Sequence, residues 1–290
     1  MIGVYDSGFG GLTVLRALRA RLPARDFVYL GDSGRAPYGG RDLDTILDFS
    51  EQCVERLFAE GCGLVVVACH TVSCVALRHL QRRYVTADTL GQRRILGVTI
   101  PAAEAAVHVS RGRIGWLGTD RTVASGTFAA EVAKLGRHEV VQRAAPLLAP
   151  LVEEGLVDGD LAALAVRHYL GALADCDTIV LGCTHYPLLA DVVRAEAARL
   201  PAHPRVLDPS DHVAERLADW LARHPQGPGA QDRPSRGGLR VLCTGDTARF
   251  RAHGQRFLGE PLPDVEHVTA VGGRLEPRDP AHAPTGQFVR

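Results

Sequence analysis

The feature that most constrains this chain is an alternation along its length. Short runs of Val, Ile and Leu are separated by stretches with apolar residues at three- and four-residue spacing. "IGVYD" (2–6), "DFVYLGD" (26–32), "GLVVVACH" (63–70), "RILGVTI" (94–100), "RIGWLGT" (113–119), "EVVQRA" (139–144), "TIVLGCT" (178–184), "RVLDP" (205–209) and "LRVLCTGD" (239–246) read as strands. Between them "LTVLRALRARL" (12–22), "LDTILDFSEQCVERLFAEG" (43–61) and "TVSCVALRHLQRRY" (71–84) read as helices, the second stopped by Gly61. Strands rich in apolar residues and separated by helices predict mainly parallel sheets covered on both faces, an α/β fold.

In such sheets ligands collect beyond the carboxyl ends of the strands. The runs here end on Asp6 and Ser7, on Asp32 and Ser33, on Cys69, His70 and Thr71, on Thr119 and Thr122, and on Cys183, Thr184 and His185. These polar and nucleophilic side chains are expected to face one edge and form a site. Cys53, Cys62, Cys74, Cys176 and Cys243 read as packing residues, since a lone buried thiol is usually a small hydrophobe. Cys69 and Cys183 differ because Thr and His flank each of them, and the repeated context suggests two related α/β halves. "CHT" and "CTH" both open helices, where the dipole is expected to favour thiolate. The glycine-rich turn "DSGFGGLTV" offers backbone N–H groups to an anion, but Thr13 occupies the last glycine position of a dinucleotide fingerprint. Two thiols on opposite sides of a small anion suit inversion of a carbon acid, with a base on one face and an acid on the other. Asp6 and His185 are the candidates to exchange protons with them.

Composition bounds the alternatives. Lys and Arg total 33 against 33 Asp and Glu, so no net positive charge favours a nucleic-acid partner. No apolar run reaches the length of a membrane span, and the start "MIGVYDSGFGG" lacks the basic region of a secretory signal. The expectation is a cytoplasmic protein whose seven cysteines are reduced. A mobile loop at 223–238 and a tail at 272–290 are expected from their Pro, Gly and polar content.

Taken together, "DSGFGGLTV", "YLGDSGRAPYGGR", "VVVACHT", "GTDRTVASGTF", "LVEEG", "IVLGCTHYPLL" and "CTGDTARF" resemble the cofactor-independent aspartate/glutamate racemases, glutamate racemase above all, from about residue 2 to 271. The resemblance implies two pseudo-symmetric α/β domains, one of residues 1–97 with 207–271 and one of residues 98–206, with the site in the cleft between them. It implies racemization of glutamate without a cofactor or metal, supplying D-glutamate for peptidoglycan, and leaves a homodimer open. Cys69 and Cys183 would be the catalytic acid and base, with Asp6 and His185 supporting them. Asp6, Ser7, Asp32, Ser33, Pro37, Tyr38, Gly39, His70, Thr71, Thr119, Thr122, Glu153, Thr184 and His185 would hold substrate.

The chain reads Cys69-His70-Thr71 where members of the family usually read Cys-Asn-Thr. His70 is expected to replace the amide by donating a ring N–H to substrate, and to make binding pH-sensitive between about pH 5 and 8. The substrate carboxylate is expected to rest on Ser7, Thr71, Thr184 and backbone N–H groups, without a guanidinium. Rival readings are a racemase for a related acidic amino acid, a binding protein that has lost turnover, a zinc site of Cys69, His70, Cys183 and His185, and a pyridoxal phosphate enzyme. The last would need Lys134, the only lysine, which lies on a helix far from any strand end.

Overall fold

The computed structural model describes residues 1–229 and 237–277. Its strands are β1 (Ile2–Asp6), β2 (Phe27–Gly31), β3 (Leu64–Val67), β4 (Arg94–Gly97), β5 (Arg113–Gly118), β6 (Glu139–Ala144), β7 (Thr178–Gly182), β8 (Arg205–Leu207), β9 (Leu239–Cys243), β10 (Val265–Val271) and β11 (Arg274–Pro277). They form a seven-stranded sheet, ordered β11-β10-β9-β2-β1-β3-β4, and a four-stranded sheet, ordered β6-β5-β7-β8. Every pairing is parallel except β10 with β11.

The apolar runs follow from burial on both faces. In β1, Ile2 and Val4 enter one core cluster while Tyr5 enters another; in β3, Leu64 and Val66 separate from Val65 and Val67 in the same way. The first cluster continues into the second sheet through Leu117, Ile179 and Leu181, so apolar packing ties the two sheets together. Val180 and Trp116 point to a third cluster against helices 99–109 and 127–135.

The strand order places the site. In the large sheet β1 has β2 on one side and β3 on the other, and in the small sheet β5 lies between β6 and β7. Each sheet therefore reverses direction beside its first strand, which opens a crevice at the carboxyl ends of β1 and β3 and of β5 and β7. Register keeps these ends level, with Tyr5 opposite Val67 and Gly118 opposite Gly182.

Four expectations change. The helix read over 71–84 is two helices, His70–Val75 and Leu77–Tyr84, separated at Ala76. Ser73 ties the first to the strand ends, donating to the Val67 carbonyl at 2.9 Å and accepting from the Val98 N–H at 3.2 Å. The second follows its own stripe, Leu77, Leu80 and Tyr84, into the core. β10 and β11 are strands that the apolar pattern does not predict, and Arg274–Pro277, expected as part of a tail from residue 272, pairs with β10 instead. Only Val268 of β10 is buried, so its apolar signal is thin. The turn between these strands, Gly272 and Gly273 at φ +55° and +78°, carried the hairpin signal. Of the loop expected at 223–238, Arg223 closes helix 210–223, and 230–236 lie outside the described residues, as do 278–290 of the tail.

Candidate active site

The two strand-end crevices meet in one cavity of about 230 Å³. Cys69 and Cys183 both line it, 4% and 8% exposed, and both are free thiols. Cys69 follows β3 and donates from Sγ to Ser7 Oγ at 3.5 Å, across the β1–β3 crevice. Cys183 follows β7, and its Sγ lies 3.8 Å from His185 Nδ1. The His185 Nε2 atom faces Glu153 Oε1 at 3.0 Å, and the Glu153 carbonyl accepts from Arg256 Nη2 at 3.0 Å.

Each thiol has its own electrostatic setting. Burial, reinforced by the nearby Asp6 charge and opposed by the Ser7 hydrogen bond, pushes the Cys69 thiol up to about 12. The thiolate expected from a helix dipole is thus outweighed; the helix behind Cys69 has only six residues. Burial works against charge on His185, but hydrogen bonds and charge from Cys183 and Glu153 overcome it and raise the imidazole to about 10. His185 therefore carries a proton at neutral pH. Asp6, raised by burial and held back by His185 and by the N–H groups of Gly11 and Gly8, sits at the base of the glycine-rich turn. Gly8 donates to Asp6 Oδ2 at 3.0 Å. The anion that this turn holds is Asp6 itself.

Glycines bring the two halves into contact. A Cβ on Gly10 would run into Thr184 Oγ1 and lie 2.6 Å from His185 Nδ1. Thr13 Oγ1 also donates to the Thr184 carbonyl at 3.1 Å. A Cβ on Gly39 would lie 3.0 Å from Thr119 Cβ.

Of the residues expected at the site, Ser7, Pro37, Tyr38, Gly39, Cys69, His70, Thr71, Thr119, Glu153, Cys183, Thr184 and His185 line the cavity. Asp6, Asp32, Ser33 and Thr122 do not. Asp6 lies behind, accepting from Thr184 Oγ1 at 3.4 Å. Thr122 shares hydrogen bonds with Thr119 at 2.7 Å and Thr71 at 3.4 Å, and so holds two hydroxyls that do reach the cavity. Asp32, expected to hold substrate, is fully buried and already occupied by Arg35 Nε at 2.8 Å, Thr244 Oγ1 at 2.6 Å and the Tyr38 hydroxyl. Its neighbour Ser33 packs towards Gly245.

His70 departs furthest from expectation. The ring lines the cavity, yet it is 3% exposed, meets Trp116 edge-on at 5.4 Å, and makes no hydrogen bond to the described residues. Its Nδ1 is buried without a partner, as is Trp116 Nε1. Burial depresses the imidazole to about 3, so it is neutral throughout pH 5–8. The charge switch expected of it in that range is absent.

The cavity wall also includes Gly8, Ala36, Gly40, Asp120, Pro146, Ala149, Pro150 and Tyr186. Asp120 lies two residues past the end of β5, and Pro146, Ala149 and Pro150 follow β6, so the strand-end rule applied to every strand points to this region. Among the described residues no Lys or Arg lines this cavity. A larger groove of about 970 Å³ lies between helices 77–84 and 210–223, lined by Arg78, Arg82, Arg94, Arg216 and Arg223 and, among the described residues, by no thiol. Among the described residues no cluster of three or more His, Cys, Asp or Glu is arranged to hold a metal ion. Lys134 is on helix 127–135, paired with Glu131 at 2.7 Å. No described helix is long and apolar enough to cross a membrane.

Two free thiols face one small cavity, each with its own hydroxyl or imidazole partner, an arrangement suited to acid/base chemistry on a small ligand. Residues 10–217 match the family model described as Asp/Glu/Hydantoin racemase. The chain belongs to that family. A curated glutamate racemase from Desulforudis audaxviator is 39% identical over 274 residues, 91% of this chain and 96% of the relative. The crystal structure of glutamate racemase from Thermus thermophilus in complex with beta-chloro-D-alanine is similar, with a TM-score of 0.79, 38% identity and coverage of 92% of this chain and 96% of that one. That of the Francisella tularensis enzyme in complex with D-glutamate has a TM-score of 0.81 and 27% identity, covering 92% and 97%.

Proposed function

We propose that this racemase interconverts L- and D-glutamate by proton transfer between Cys69 and Cys183, and that the D-glutamate serves peptidoglycan synthesis. The observation that carries the reading is the meeting of both thiols on one small cavity with no covalent link between them. One sulfur removes the α-proton as thiolate while the other, as thiol, delivers a proton to the opposite face; the reverse reaction exchanges the roles. His185, protonated at neutral pH and 3.8 Å from Cys183, stabilises that sulfur as thiolate by its charge and can return a proton to it, and Glu153 orients the ring. On the other side Asp6 and the Ser7 hydroxyl serve Cys69. Since His185 is the one cationic side chain in the wall among the described residues, the substrate carboxylates rest on hydroxyls of Ser7, Thr71 and Thr184 and on backbone N–H groups.

The named relatives and the glutamate-bound Francisella neighbour support glutamate as substrate. Incubation with L-glutamate in deuterated water tests the reading. Deuterium at the α-carbon together with loss of optical rotation is the expected result. Binding of glutamate without exchange would leave a binding protein in place of an enzyme.

A further inference from the structure

Five consecutive residues, Ala36 to Gly40, line the cavity, yet they belong to no strand or helix. This segment forms a wall that regular structure does not hold, so its anchors decide its position. One anchor lies within the large-sheet half: Arg35 Nε reaches both oxygens of Asp32 at 2.9 and 2.8 Å, and the Tyr38 hydroxyl donates to the same carboxylate. The other crosses the cleft. Arg121, on the short helix Asp120–Ala124 that follows β5, donates its backbone N–H to the Gly39 carbonyl at 3.0 Å. Its guanidinium then donates twice to the Arg41 carbonyl, from Nε at 2.9 Å and Nη2 at 2.6 Å. Arg41 in turn reaches back to the Arg35 carbonyl from its own Nε at 3.1 Å, which closes the segment on itself.

The geometry points to Arg121 as a positioning residue that fastens the 36–40 wall to the small-sheet half and thereby sets the affinity of the cavity. Arg121 does not line the cavity and makes no hydrogen bond to either thiol. Its effect runs through Pro37, Tyr38 and Gly39. A charged donor that takes one carbonyl with two N–H groups binds more strongly than a neutral pair, and here it joins segments 80 residues apart. Because the acceptor is a backbone carbonyl, only the Arg121 side chain needs to be changed to release it, and the Gly39 bond to the Arg121 N–H survives substitution.

The ligand in this inference is the glutamate of the proposed function; the fastening itself does not depend on that reading. The test combines hydrogen exchange with steady-state kinetics on the whole protein. In Arg121→Ala, amides of residues 36–41 should exchange faster while those of β5 and β7 keep their protection. KM should rise roughly tenfold for both enantiomers, the scale of one lost charge-assisted hydrogen bond, with kcat kept within about twofold. Arg121→Lys, which can donate to the same carbonyl through one N–H, should fall between the two. Arg121→Gln carries the same expectation as alanine should the alanine protein fail to fold. Unchanged exchange at 36–41, or a fall in kcat at constant KM, overturns the assignment. If the unmodified protein does not racemize glutamate, the functional reading fails and the exchange data alone decide the role of Arg121.

Discussion

At the scale of single residues the two sulfurs are chemically unequal, and that inequality is testable. Cys69 is a strongly raised thiol beside Asp6, whereas Cys183 faces a protonated imidazole. Replacing either by Ala should lower racemization by about 10² to 10⁴, the usual worth of a positioned acid or base. Serine at one position should slow the two directions by different factors, read by following optical rotation from each pure enantiomer. Equal slowing would remove the one-base-per-enantiomer scheme. His70 leads to a different expectation. Its folded value of about 3 lies below its ordinary 6.5, so the neutral ring favours folding above pH 6.5 and this contribution is lost as pH falls towards 3. His70→Asn should therefore flatten the acid side of a Tm–pH curve, while the pH dependence of KM between pH 5 and 8 stays that of the parent. A change in that pH dependence would mean that the ring is charged after all.

Among the elements, the turn joining β1 to helix 12–21 matters most, because it touches the opposite half at atomic range. Gly10 packs where any Cβ would strike Thr184 and His185. Gly10→Ala should cost about 1–3 kcal/mol of stability, the usual range for overpacking, and should lower kcat by displacing His185 from Cys183. Denaturant unfolding and kinetics together check this. A stable variant with normal kcat would show that the turn yields freely. The segment 71–84 makes the complementary point about legibility. Its periodicity gave one helix, but Ser73 anchors the first turns to the strand ends and leaves the remainder to follow a different apolar stripe. Periodicity records which residues are apolar, not which neighbour binds a serine hydroxyl.

For the molecule as a whole, the part-buried His185–Glu153 pair, which joins the end of β7 to helix 148–153 within the small-sheet half, links stability to pH. A histidine raised to about 10 stabilises the fold fully below its unfolded value near 6.5, and that contribution is lost as pH climbs through 10. Tm should fall across this window. In Glu153→Gln, which removes one cause of the raised value, the fall should begin at lower pH. Identical curves for the two proteins would deny the pair any part in stability.

What the sequence alone determined is what depends on local pattern. Alternating apolar runs and amphipathic stretches specify parallel sheets covered by helices, and the strand-end rule then marks Cys69, Thr71, Thr119, Cys183 and His185 without further information. The hairpin of β10 and β11 was less legible, since one buried valine is a weak sign of a strand. Only the tertiary structure decided which polar residues reach the cavity and which are spent on one another. Asp32 and Asp6 look alike as acids after a strand, yet Asp32 is consumed by Arg35, Tyr38 and Thr244, while Asp6 turns to Gly8 and Thr184. The same holds for charge. An imidazole's state depends on whether burial or a partner prevails, and those partners come from distant parts of the chain. Thus His70, buried against Trp116 without a partner, stays neutral, and His185, between a thiol and a carboxylate, keeps its proton.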